Sequence, residues 1–82
     1  MSTVPPFNPD PDAPVYLYEQ VADHLQARIE AGEIGPRLPG ERALMDEYGV
    51  AHGTIRKATD LLRERGRVVT LPGKGTFVRK GE

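Results

Sequence analysis

The chain has 82 residues, 11 Lys and Arg against 12 Asp and Glu for a formal net charge of -1, and no cysteine. That length supports one small domain with a limited core, and without cysteine neither a disulfide framework nor a thiolate zinc site can supplement it. No run of about 18 apolar residues occurs, and the opening MSTVPPFNPDPDAP lacks the basic start and apolar stretch of a secretory signal, so a cytoplasmic location is expected.

Residues 1–14 contain five prolines and little apolar material besides Val4 and Phe7, which predicts a disordered or extended arm ahead of a domain spanning 15–80. From about Leu17, the positions Tyr18, Val21, Ala22, Leu25 and Ile29 recur at helical spacing, so one face of a first helix is apolar. Gly32 is its stop signal. Ile34 and Leu38, in GEIGPRLPGE, are expected to tuck under the core through an irregular connection.

A second, shorter helix is predicted from Gly40 or Glu41 to Tyr48, with Leu44, Met45 and Tyr48 on one face and Glu41 in its electropositive first turn. Gly49 ends it and Val50 leads into a third helix, about His52 to Arg65, burying Ile55, Ala58, Leu61 and Leu62. After Gly66 the period changes: RVVTL and TFVRK, rich in β-branched and aromatic residues, flank PGKG and read as a β-hairpin with Pro72-Gly73 in the turn. The predicted fold is mainly α with a small β-hairpin.

Charge divides along the same chain. Residues 1–50 carry three basic and nine acidic side chains, net -6, whereas residues 51–82 carry eight and three, net +5. Such asymmetry points to a polyanion met by the second half; the bland alternative is that these charges decorate solvated faces.

Two helices joined by a short glycine-centred turn make a helix-turn-helix, whose second helix fits a major groove about 12 Å wide. At 100° per residue His52, Gly53, Arg56, Asp60 and Arg63 of the third helix point away from its apolar side. That helix begins poorly, since Ala51 is a weak cap and Gly53 costs about 1 kcal/mol against alanine. Small residues at its tip let backbone N–H groups approach phosphate, and Arg56 suits a bidentate guanine contact.

Residues 17–78 resemble the N-terminal DNA-binding domain of the GntR family of bacterial transcriptional regulators, a winged helix-turn-helix. The resemblance is carried by YEQVADHLQARIEAGEI, LPGERALMDEYGV, GTIRKATDLLRERG and VVTLPGKGTFV, in the family's order. It implies a recognition helix in the major groove and a wing in the adjacent minor groove; the expected function is sequence-specific transcriptional control, repression by occluding a promoter, and because one module covers only a short half-site, a dimer or two copies on a pseudo-palindromic operator is expected. By position it implies DNA contacts from Arg42, from His52, Gly53, Thr54 and Arg56, and from Gly73, Lys74 and Gly75 at the wing tip, with Lys57 added as a phosphate contact. Gly40, Met45, Ala51, His52 and Gly53 depart from the family's usual residues, which alters expected sequence preference more than fold. Family members usually continue into a C-terminal effector-binding and dimerisation domain that these residues do not supply.

Each contact has a plainer reading. Arg56 could pair with Asp60 at i+4, Thr54 could be partly buried, Lys74 could be a solubilising hairpin residue, and Arg65 could cover apolar surface with its stem. His24 is read as a solvated residue, and Glu41, Asp46 and Glu47 as an exposed acidic face rather than a metal site. PGKGT lacks the first glycine of a phosphate-binding loop and precedes a strand. No nucleophile, base and orienting group can be assembled, so no enzyme and no cofactor are expected; a protein-interaction module on the same scaffold is the competing function.

Overall fold

The computed structural model describes residues 4–79, so the predictions for Met1, Ser2 and Thr3 of the arm and for Lys80 of the final strand lie outside the described residues. Three helices, α1 (Leu17–Glu30), α2 (Glu41–Tyr48) and α3 (His52–Glu64), precede an antiparallel pair, β1 (Val68–Leu71) and β2 (Gly75–Val78). The core is built from the three helices, β1 and the connection after α1: Val21, Ala22 and Leu25 from α1, Ile34 and Leu38 from the connection, Leu44 and Tyr48 from α2, Ile55, Ala58 and Leu62 from α3, and Val68 from β1, with Val78 of β2 partly buried against them. Burying each large aliphatic among them contributes about 1.5–3 kcal/mol. α3 is central, packing on α1, α2 and β1, and its hydrophilic side is left facing outward.

The helix limits follow from local chemistry. At the start of α1, Glu19 Oε1 accepts the Tyr16 N–H at 2.9 Å, returning an acceptor to a backbone donor that the helix leaves unpaired. α1 and α3 both end in paired reversals, with the Glu33 N–H on Arg28 O and the Arg67 N–H on Leu62 O, each at 2.9 Å. Between α2 and α3, Gly49 adopts φ +66 and its N–H bonds Met45 O at 2.8 Å. A left-handed residue at that point turns the chain within three residues, which sets α3 across α2.

The connection between α1 and α2 buries Ile34 and Leu38, as expected, and is irregular apart from one isolated bridge to the wing. The Leu38 N–H bonds Thr76 O at 2.9 Å, the Val78 N–H bonds Pro36 O at 2.8 Å, and Arg37 faces Phe77 across an antiparallel bridge. This isolated bridge pins the connection to the free edge of β2, and the wing remains two-stranded. Pro36 is tolerated there because it needs only its carbonyl. Leu38 points into the core while Arg37 points out.

Residues 4–14 run without regular structure over α1 and the end of α2. The Phe7 ring meets His24 and Tyr48 edge-on, with centroids 5.5 and 5.0 Å away, and the Gln20 amide exchanges two hydrogen bonds with the Asp10 backbone, 2.8 and 3.0 Å. The reading of His24 as a solvated residue is overturned. Its Nε2 lies 2.7 Å from Pro5 O and its Nδ1 2.7 Å from the Tyr48 hydroxyl. A carbonyl can only accept, so Nε2 carries the hydrogen, and in the neutral ring Nδ1 accepts from Tyr48. Arg28 Nη1 then donates to the same hydroxyl at 3.1 Å.

Candidate nucleic-acid interface

The outward side of α3 and the start of α2 meet the wing around a groove of about 610 Å³, lined among others by Arg37, Glu41, Arg56, Arg63, Pro72 and Gly75. His52 is the first residue of α3 and Arg56 lies one turn further along, both exposed. Gly53 has open space around it, with nothing within 4 Å of an added Cβ. Thr54 is half-buried, whereas Thr59, unremarked in the sequence, is buried with its hydroxyl returned to Ile55 O at 2.9 Å. No side chain caps Ala51, as the sequence predicts.

Glu41 joins the two polar residues at the tip of α3. The His52 Nε2–H donates to Glu41 Oε1 at 2.6 Å, and Arg56 Nε stands 3.9 Å from Glu41 Oε2. The plain alternative for Arg56, pairing with Asp60, does not occur: Asp60 is taken by Arg63, which also donates to the Thr70 hydroxyl on β1. Thr70 and Thr76 in turn share a hydrogen bond of 2.9 Å across the wing. Arg63 thus braces the wing against α3. Glu41, Asp46 and Glu47 are all exposed, as expected, although Glu47 pairs with Arg28 at 3.2 Å and Glu41 with His52.

Arg42 follows Glu41 in the first turn of α2, exposed and with no acidic partner among the described residues. Lys57 is placed apart from the tip, its ammonium 5.9 Å from the centre of the Tyr18 ring at the start of α1. At the wing, Pro72 and Gly73 occupy the turn, with Gly73 at φ +77 and the Lys74 N–H closing it on Leu71 O at 2.9 Å, the geometry of a type II turn. Lys74 is exposed at that tip, between two residues that line the groove shared with Arg56.

The charge split in the sequence overstates the available cationic surface. Arg65 pairs with Asp23 at 2.9 Å and Arg67 with Glu30 at 3.2 Å, so two basic residues of the second half neutralise acids of α1 away from the groove. Arg37 is the residue that sequence reasoning passed over. Its guanidinium lies 6.0 Å from the Phe77 ring centre, and a Cβ on Gly75 would come 2.8 Å from its Nε. A cation laid across a glycine at the base of the wing turn could be inferred only from the isolated bridge at Arg37, which is too short to show a period.

Behind this face, the Arg28–Tyr48 contact carries two shifted ionisations. Burial pushes the Tyr48 phenol above its ordinary value, partly offset by Arg28. Desolvation works against the Arg28 charge, but hydrogen bonds to Tyr48 and Glu47 outweigh it and hold its pKa above the usual value. The pair is therefore a neutral phenol beside a permanent cation.

Among the described residues there is no cluster able to hold a metal ion, and no helix is long and apolar enough to cross a membrane. The sequence matches the model of bacterial regulatory proteins of the gntR family over residues 17–78. It is 35% identical over 75 residues to the HTH-type transcriptional repressor NagR of Bacillus subtilis (strain 168), covering 89% of this chain and 31% of that one. It is 39% identical over 66 residues to the mannosyl-D-glycerate transport/metabolism system repressor MngR of Escherichia coli (strain K12), covering 78% and 28%. The chain thus spans about three tenths of the length of these relatives. Among solved structures, the DNA-binding domain of AraR in complex with operator ORE1 superposes with TM-score 0.75 at 34% identity, covering 88% of this chain and 90% of that one. The regulator YydK of Bacillus subtilis superposes with TM-score 0.76 at 33% identity, covering 83% and 31%. Three helices, a braced wing and the family match over residues 17–78 lead to one conclusion: the chain belongs to the gntR family of bacterial regulatory proteins and has its winged helix-turn-helix fold.

Proposed function

We propose that this chain is the sequence-specific DNA-binding part of a transcriptional repressor, acting in the cytoplasm, with α3 entering the major groove and the wing tip the adjacent minor groove. Residues 15–80 form the binding unit and residues 1–14 an arm. The observation that carries the reading is the shared groove: Arg56 on α3, and Pro72 and Gly75 on either side of Lys74 at the wing tip, face one side of the molecule. His52 and Arg56 address base edges, Arg42, Thr54, Lys57 and Lys74 address phosphate or groove edges, and Gly53, Gly73 and Gly75 let backbone come close. Lys57 leaves the Tyr18 ring to do so, exchanging one cation–π contact for a phosphate. Support also comes from the operator complex of the AraR domain, which covers nearly the same fold.

One copy covers only a short half-site, and specific affinity of the usual range calls for two. The operator is therefore a pseudo-palindrome bound by a homodimer. Selection from a random duplex pool should return an inverted repeat. With several phosphate contacts per copy, affinity should fall steeply between about 50 and 200 mM salt, and Arg56→Ala should weaken specific binding by about 1–3 kcal/mol. Affinity nearly flat across that salt range, or unchanged in Arg56→Ala, would replace DNA with another partner.

A further inference from the structure

We infer that Glu41 is a positioning residue for His52: it fixes which ring nitrogen of His52 faces the duplex, and so makes base preference at that position depend on pH. The inference rests on the DNA-binding reading and deepens it.

The argument starts from the 2.6 Å contact between His52 Nε2 and Glu41 Oε1. A glutamate carboxylate only accepts hydrogen bonds, so Nε2 carries a hydrogen whatever the charge of the ring. Everything that changes with protonation is thereby assigned to Nδ1, which has no hydrogen-bond partner among the described residues. With the ring neutral, Nδ1 is a bare acceptor; with the ring charged, it is a donor. The first residue of α3 therefore offers the duplex either an acceptor or a donor at one atom.

The major groove distinguishes these two states. An acceptor matches the exocyclic amine of cytosine or adenine, and a donor matches N7 or O6 of guanine, N7 of adenine or O4 of thymine, so cytosine answers only the first state and guanine and thymine only the second. Protonation of the ring is what converts the one state into the other. The charged groups that face His52 are Glu41 from α2, and Arg56 one turn along α3, which shares the second oxygen of that carboxylate at 3.9 Å. Without the carboxylate, the neutral ring would present either tautomer, and its code at high pH would be blurred rather than switched. Both side chains are about half exposed, 51% each, so neither is needed to hold the core.

Two measurements on the full chain test this. Nitrogen NMR of the free protein at pH 8 should show His52 protonated at Nε2 and bare at Nδ1, with a mixture of tautomers in Glu41→Gln. Selection from a random duplex pool at pH 8 and pH 5.5 should show one half-site position moving from cytosine to guanine or thymine by about fivefold or more. His52→Ala should abolish that movement, and Glu41→Gln should flatten the preference at pH 8 to within about twofold. An Nδ1-protonated neutral ring, a preference that ignores pH, or a switch that survives His52→Ala would each overturn the inference while leaving DNA binding intact. Loss of all duplex binding by the unaltered chain would instead remove the functional reading beneath it, with the NMR result still standing on its own.

Discussion

Replacing Tyr48 by phenylalanine removes one oxygen from a position that is 7% exposed and leaves the ring volume in place. No cavity opens, so the cost is that of two broken hydrogen bonds. The first is the donation from Arg28 Nη1 at 3.1 Å; bonds to charged groups contribute about 1.5–3 kcal/mol, but Arg28 retains Glu47 at 3.2 Å and Glu33 at 3.8 Å, so the low end applies. The second is the donation to His24 Nδ1 at 2.7 Å, which leaves a half-buried acceptor without its partner, about 1 kcal/mol. Together they predict a loss of about 2–3 kcal/mol, roughly 10–20 °C in Tm for a domain of this size. Thermal and urea unfolding followed by circular dichroism measure it, and a double-mutant cycle with His24→Ala isolates the coupling between the two side chains, expected near 1 kcal/mol. A Tm change under about 3 °C, or a coupling near zero, would mean that the hydroxyl is as well served by water as by Arg28 and His24.

Three other outcomes are expected. Because burial raises the Tyr48 pKa, its folded value exceeds the unfolded one near 10; the contribution to stability is complete below that pH and is lost as pH rises through the folded value, so ultraviolet titration should find the Tyr48 phenol ionising at higher pH in the folded chain than in urea. Gly49→Ala should cost about 1 kcal/mol in urea unfolding, since the residue sits at φ +66 while a Cβ would meet nothing within 4 Å; a neutral result would mean that the turn can relax. Phe7→Ala should raise amide exchange through residues 5–10 and lower stability by no more than a Phe→Ala core change, about 3 kcal/mol, with the α3 amides unaffected beyond the global change.

The three helices were legible almost to the residue because their signals are local: apolar spacing of three and four, and glycines at 32, 49 and 66 just past each end. The hairpin was equally plain from Pro72-Gly73 between β-branched runs. What escaped were the side-chain pairings, which join positions far apart in the chain. Glu41 looked like part of an acidic face because nothing in ERALMDEY shows that its first turn lies beside His52, eleven residues on. Arg65 and Arg67 looked available to a polyanion because their acids sit on α1. His24 looked idle for the same reason, its partners being a carbonyl of the arm and a phenol on another helix.

β2 is stitched on one edge by its hairpin neighbour and on the other by residues 36–38, forty positions upstream at the Arg37–Phe77 bridge. The first seam can zip as soon as the turn forms. The second is a long-range closure whose entropy must be met by helices that have already come together. The wing is thus expected to close last, with the Leu38 and Val78 amides that span this seam predicted to be sheltered from exchange only while the helical body itself is assembled.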